Sequence, residues 1–351
     1  MSSKYKIGVW GQFGDGGLIA DGQAVRTTII TNELKLRYGE DKICVANTNN
    51  WKRHPFSFFC STLGLLKKSE KVVIFPADNG FKTVVPLYDI FNRLFKKKLY
   101  YVVIGGFLPA LLQKKPQYIK KLKKYEAMFV QTENLKQDLE VFGFSNIHIL
   151  SNLKRLNTIK RKDIVVREEK EIKVCTLSRI VEDKGIDYAV EAVKKANEKL
   201  GGKYIHLDIF GIVAEPYREH FEKLMADNGD FATYGGVLEF DHTTETLQEY
   251  FAMLFPTLFY GEGFPGNVVD AYNAGLPIIA TDWLYNKDVI KDGQNGILVP
   301  IKDSDAVCRA LLELYNDRDL QYRLALNNVE EAEKYVPDKV LSEFYSAIER
   351  E

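Results

Sequence analysis

Short apolar runs recur along the chain, and between them apolar residues return every three or four positions. The first run covers residues 6–10 and opens into a glycine-rich loop, GQFGDGGLIADGQ; helical spacing then holds from about residue 23 to residue 38. Apolar runs at 43–46, 71–75, 99–104, 127–131 and 147–150 read as further strands, with helical patterns between several of them. Strands alternating with helices predict a parallel sheet covered on both faces.

The pattern weakens over residues 151–170, which are polar and charged, and a second alternating series follows. Its candidate strands are 172–177, 206–210, 232–234, 253–256, 278–281 and 296–299, and residues 303–351 read as helices broken at Pro337. The expected fold class is α/β, with two doubly wound, Rossmann-like domains facing a cleft. The first domain is expected over residues 1–160 and the second over 161–330, with a terminal helix in 331–351 packing back on the first. Ligands of such folds bind at the carboxyl ends of the strands, in the crevice.

Composition narrows the functional classes. The 351 residues suffice for two domains of ordinary size, and 46% hydrophobic with 27% charged residues is the balance of a soluble globular protein. No run approaches the roughly 20 apolar residues that span a bilayer. The opening residues MSSKYKIGVWG enter a strand-like run with no signal-peptide pattern, so the cytoplasm is the expected compartment. Cys44, Cys60, Cys175 and Cys308 are scattered and read as reduced structural thiols. The five histidines form no ligand-spaced pair, so no zinc site is expected.

A net charge of zero conceals an asymmetry. Residues 1–160 hold 26 Lys/Arg against 12 Asp/Glu, and the remainder holds 22 against 36, giving halves of +14 and −14. Such a split suggests that the N-terminal half meets something anionic.

Three constellations carry candidate chemistry. Gly11, Gly14, Gly16 and Gly17 lie between a strand and a helix, where missing side chains let backbone N–H groups approach a phosphate or a sugar. Their register is not the G-x-G-x-x-G of dinucleotide sites, and a plain tight turn explains them equally well. The second constellation, Ser178-Arg179 with Lys184-Gly185, follows the first strand of the second domain. It sets two cations where a departing diphosphate would gain charge, although solvated loop cations fit the spacing too. The third is GEGFPGNVVDAYNAGLPIIATDW, residues 261–283. A glycine-rich loop there opens a helix whose first N–H groups, on Asn267, Val268 and Val269, would accept an anion. Glu262 precedes that helix and Asp270 lies one turn inside it; each carboxylate can accept vicinal hydroxyls, while Asp270 also fits as an acid matched to the helix dipole.

In this order and spacing the residues resemble the group-1 glycosyltransferases, the retaining family-4 enzymes of the GT-B fold. That family carries an S-R…K-G pair and an E-G-F-G-x-P-x-x-E segment followed by A-x-x-x-G-x-P-(V/I)-I. Here stand Ser178-Arg179, Lys184-Gly185, Glu262-Gly263-Phe264, Asp270-Ala271 and Gly275-Leu276-Pro277-Ile278-Ile279. The resemblance implies that Arg179 and Lys184 hold the donor diphosphate and that Glu262 contacts sugar hydroxyls. It implies that Asp270 meets the ribose, that the Gly266, Asn267 and Val268 backbone meets the phosphates, and that Gly16 and Gly17 approach the donor. Gly235, Val237 and Leu238 fall where this fold packs the base. Two departures stand out: Asp270 replaces the usual Glu, and the order Pro265-Gly266-Asn267 resembles a subset from bacterial surface-polysaccharide pathways. The stretch IGGFLP lacks the histidine that many relatives place there.

The implied reaction is metal-independent transfer of a hexosyl group with retention, from a nucleotide-diphosphate sugar, most often a UDP-sugar, to a saccharide or polyprenyl-diphosphate-linked acceptor. No cofactor, metal or nucleic acid is expected to take part. Asp303-Ser304-Asp305 and Asp317-Arg318-Asp319 match a metal-binding D-x-D as text but read as helix N-caps. A nucleotide-sugar 2-epimerase of the same fold and a non-catalytic sugar-nucleotide sensor are the alternatives.

Residues 91–124 add ten Lys/Arg and no acid. Within them Pro116 opens a helical pattern with Tyr118, Leu122 and Tyr125 on one face. Either this helix packs on the domain with solvated lysines outside, or it rests on an anionic membrane surface at the inner face of the plasma membrane.

Overall fold

The structure is a computed structural model describing residues 4–13, 22–49, 51, 53–155, 158–239 and 242–350. It divides into two compact units, Met1–Leu153 with Pro337–Glu351, and Lys154–Val336.

The first unit is built on six parallel strands: β1 (Tyr5–Gly11), β2 (Ile43–Asn47), β3 (Ser69–Ile74), β4 (Lys98–Val102), β5 (Ala127–Val130) and β6 (Ile147–Ile149). They lie in the order β2-β1-β3-β4-β5-β6. The helices are α1 (Gly22–Tyr38), α2 (Pro55–Lys68), α3 (Asp78–Phe95), α4 (Leu108–Lys114), α5 (Gln117–Leu122) and α6 (Glu133–Glu140). Consecutive residues such as Val72, Val73 and Ile74 are all fully buried, which requires cover on both faces of the sheet. Local chemistry sets the helix starts. Pro55 supplies the first helical residue of α2, and the Thr132 hydroxyl accepts the Leu135 N–H to cap α6.

The C-terminal helix Ser342–Glu349 belongs to this first unit. Phe344 sets its ring 4.8 Å from Phe129, and Arg37 donates from Nε to Glu349 at 2.9 Å. Helix α5 likewise buries its apolar side, with Tyr118 packed 5.0 Å from Phe81. Lys121 and Lys124 both reach Asp89 of α3, so part of the basic stretch is neutralised by an acid just outside it.

The second unit repeats the plan with β7 (Ile172–Leu177), β8 (Ile205–Phe210), β9 (Ala232–Gly236), β10 (Ala252–Phe255), β11 (Ile278–Thr281) and β12 (Gly296–Val299). Its order is β12-β11-β10-β7-β8-β9, all parallel. Helices are α7 (Ile186–Leu200), α8 (Arg218–Asn228), α9 (Thr243–Leu247), α10 (Gly266–Asn273), α11 (Asn286–Val289), α12 (Ser304–Asn316) and α13 (Arg318–Ala332). Alternate strand residues feed two cores. Val174, Leu254 and Ile279 pack with α7 and α12 on one face, while Cys175, Met253 and Ile278 pack with α10 on the other.

Asp303 and Asp317 cap α12 and α13, accepting the N–H groups of Ala306 and Leu320, each at 2.8 Å. Their positions in the two D-x-D strings therefore have a local structural use.

Candidate functional site

The second sheet changes direction between β7 and β10. From β7 the chain moves outward through β8 and β9, and from β10 it moves the other way through β11 and β12. Loops leaving neighbouring strands at such a point diverge, which opens a binding crevice at their carboxyl ends. Ser178–Lys184 leaves β7 there, and Thr257–Pro265 leaves β10.

Glycines let these loops pack against their neighbours. Gly185 sits at φ +71°, and a Cβ on it would stand 2.1 Å from the Pro256 carbonyl oxygen. The Lys184 turn can therefore press against the end of β10. Gly211, at the end of β8, would bring a Cβ within 1.7 Å of the Ser178 oxygen. Backbone bonds complete the fastening, since Leu258 donates to Asp183 O at 2.8 Å.

Lys184 and Glu262 meet across this seam, with Nζ 2.6 Å from Oε2. The ammonium lies 4.9 Å from the Phe259 ring centre, within cation–π range. Thr257, fully buried, donates its hydroxyl to the same Oε2 at 2.8 Å. Oε1 of Glu262 has no hydrogen-bond partner among the described residues. Arg179 is exposed and has no ion-pair partner among the described residues.

Helix α10 carries the rest. Asn267 donates from Nδ2 to Leu177 O at 2.6 Å and so ties the start of α10 to the end of β7, while its buried Oδ1 has no partner among the described residues. Gly266 opens the helix. The N–H of Val268 donates to Pro265 O at 3.2 Å, closing the first turn rather than standing free. The helix ends in a Schellman motif: Leu276 donates to Ala271 O at 2.8 Å and Gly275 to Tyr272 O at 3.0 Å, with Gly275 at φ +63°.

Asp270 is buried in α10 at 3% exposure. Its Oδ1 accepts from Lys154 Nζ and from the Thr243 hydroxyl, the latter at 3.1 Å. Its Oδ2 has no partner among the described residues. Lys154 comes from the polar stretch 151–170, yet it is only 8% exposed. Lys154, Thr243 and Thr257 are contributors that reading the sequence missed. The hydroxyls carry no spacing signal, and Lys154 is 116 positions from the acid it pairs with.

At the ends of β8 and β9 the buried Phe210 ring lies beneath the chain, with Val237 and Leu238 half-buried after it. Phe210 lies so close to Gly235 that a Cβ there would meet its ring at 2.2 Å. Leu177 and Leu238 are half-buried against the same core, and Val237 lies between Gly236 and Leu238 on the loop leaving β9. A planar base could lie over these residues. Arg179, Lys184 and Glu262 thus lie on the loops leaving the two central strands, β7 and β10, and Asn267 and Asp270 on the helix that follows β10. Gly16 and Gly17 lie outside the described residues, so the glycine loop after β1 has no structural account here.

In the first unit the carboxyl ends of β5 and β6 hold a buried polar network. Arg26 of α1 donates to Asn152 Oδ1 at 2.6 Å and also to Leu150 O. Gln131 accepts the Gly105 N–H at 3.1 Å. Burial holds the Arg26 guanidinium below its ordinary pKa. Among the described residues, no group of three or more His, Cys, Asp or Glu is arranged to hold a metal ion.

Residues 171–317 match the family described as glycosyl transferases group 1. Among curated proteins, the chain is 26% identical over 200 residues to the GtfA subunit of a UDP-N-acetylglucosamine–peptide N-acetylglucosaminyltransferase of Streptococcus agalactiae. That match covers 53% of this chain and 36% of the relative. The chain thus spans about a third of the length of that protein. It is 24% identical over 227 residues to LpsE of Rhizobium meliloti, a lipopolysaccharide core biosynthesis glycosyltransferase, covering 63% of each. In three dimensions it resembles HepE of Anabaena, crystallised with UDP and glucose, with a TM-score of 0.75 at 11% identity over 98% of this chain and 99% of that one. A likeness at so low an identity speaks for the fold, and the family match speaks for the second unit. The chain carries a group-1 glycosyltransferase domain over residues 171–317 within a GT-B fold.

Proposed function

We propose that the chain is a hexosyltransferase that takes its sugar from a nucleotide-diphosphate donor, a UDP-sugar, and passes it to a saccharide or polyprenyl-diphosphate-linked acceptor in cell-surface polysaccharide synthesis. Transfer proceeds with retention and without a metal ion. The observation that carries this reading is the Lys184–Glu262 pair at the switch point of the second sheet, with Arg179 on the same loop after β7 as Lys184. Arg179 and Lys184 take the charge that develops on the departing diphosphate, helped by the N-terminus of α10; this is electrostatic catalysis. Glu262 offers Oε1 to sugar hydroxyls and Asp270 offers Oδ2 to the ribose. Gly235, Val237 and Leu238, backed by the buried Phe210 ring, take the base. Protein cations at the diphosphate, and the first acid of each D-x-D string committed to a helix cap, support metal independence.

The first unit is the proposed acceptor side. Lys114, Lys115, Lys120 and Lys123 are exposed and have no acidic partner among the described residues, which supports contact with an anionic lipid surface and a lipid-diphosphate acceptor. No helix among the described residues is long and apolar enough to cross a membrane.

The test is a panel of nucleotide sugars ranked by thermal shift, where a ligand at 100 times its Kd adds roughly 2.7 kcal/mol of stability. The best donor is then incubated with and without saccharide and lipid-diphosphate acceptors. Nucleotide release that requires an acceptor, with the anomeric configuration kept, is the expected result. Rapid turnover of donor alone into an epimer would overturn it, and donor binding with no turnover on any acceptor would identify a sensor.

A further inference from the structure

Both donor-side carboxylates are held in the same way. Glu262 receives a lysine and a threonine on Oε2, and Asp270 receives a lysine and a threonine on Oδ1. In each, the second oxygen has no partner among the described residues. We propose that Lys154 and Thr243 are positioning residues for donor recognition, which fix Oδ1 of Asp270 so that Oδ2 alone is presented to the ribose hydroxyls of a nucleoside diphosphate. The inference rests on the assignment of Asp270 to the ribose made above.

Four physical points carry it. A carboxylate at 3% exposure requires a paired cation, and Lys154 supplies it from a segment distant in sequence. One donor would leave the carboxylate free to turn, whereas an ammonium and a hydroxyl on the same oxygen fix its plane. The segment that carries Lys154 is itself fastened along α10: Ile159 donates to Asn273 O at 2.9 Å, and Thr158 bonds the Asn273 side chain. Because Asp270 is one methylene shorter than glutamate, it has little freedom to search for the ribose, so its orientation must be set beforehand.

The test compares binding of UDP and of 2′,3′-dideoxy-UDP to the full chain by calorimetry. The wild type should favour UDP by about tenfold or more, the scale of one charge-assisted hydrogen bond. Asp270→Asn should abolish most of that preference. Lys154→Met should compress it to about threefold or less, with UDP affinity falling and dideoxy affinity nearly unchanged. A merely structural lysine would weaken both ligands alike and leave the ratio intact. Thr243→Val leaves the ion pair in place and should also compress the ratio, so it decides the matter if Lys154→Met does not fold. Lys154→Arg should restore part of the preference. Equal binding of the two ligands by the wild type would overturn the ribose assignment itself. A wild-type preference lost in Asp270→Asn but kept in Lys154→Met and Thr243→Val would overturn only the positioning roles.

Discussion

Lys184 and Glu262 stand 2.6 Å apart across the seam between the loop after β7 and the loop after β10. The pair makes Lys184 both a structural tie and a candidate for the leaving group, whereas Arg179 is exposed and tied to nothing acidic among the described residues.

That difference separates two variants. Arg179→Ala and Lys184→Ala should each lower kcat by about 100-fold, roughly 2.7 kcal/mol of transition-state stabilisation, with a smaller change in donor KM. Only Lys184→Ala should also lower thermal stability, by roughly 3 kcal/mol, because it strands the buried Glu262 charge. Near-normal kcat in both variants would remove them from the leaving-group site.

Gly185 tests whether the backbone sets Lys184. Alanine there adds the strain of φ +71° and a clash with the Pro256 carbonyl. Gly185→Ala should cost more than about 1 kcal/mol of stability and lower kcat together with it, although no ligand-facing atom is removed. Full activity in a stable Gly185→Ala protein would show that the loop does not need this close approach.

The proposed reaction uses protein cations at the diphosphate. Transfer should therefore persist in excess EDTA, measured as nucleotide released per acceptor consumed. Loss of activity restored by Mn²⁺ would contradict it.

The basic stretch of the first unit gives a separate prediction. Co-sedimentation with liposomes should require anionic lipid and weaken steeply from low to physiological salt. At around 1 kcal/mol for each lysine near the surface, replacing Lys114, Lys115, Lys120 and Lys123 by Gln should remove it. Replacing Lys121 and Lys124 should do less, because Asp89 already holds them. Equal partition onto neutral and anionic vesicles would leave these lysines as a solubilising face.

Much of the fold was legible because parallel strands buried on both faces write themselves as short apolar runs. The twelve strands of the described residues fall on such runs, with ends displaced by a residue or two, as between the apolar run at 71–75 and β3 at Ser69–Ile74. The glycine-marked loops were legible for a similar reason: at Gly185 and Gly275 the backbone conformation excludes most other residues. What the sequence concealed was partnership at a distance. Lys154 sits in a stretch polar enough to pass for a solvated linker, and only the fold brings Asp270 to it. The lysines beside Asp89 tell the same story, since availability depends on neighbours that no spacing reveals.

The pairing of Lys184 with Glu262 and of Lys154 with Asp270 has a consequence for ionic strength. Each pair sums to zero charge, so Arg179 is the only surplus positive charge among these five residues. Among these five residues a diphosphate meets two neutralised pairs and one cation without an acidic partner. Its capture should then depend on close fit more than on long-range attraction, and donor affinity should change only gently as salt rises, because a Debye length of about 8 Å screens distant charges and leaves contacts nearly intact.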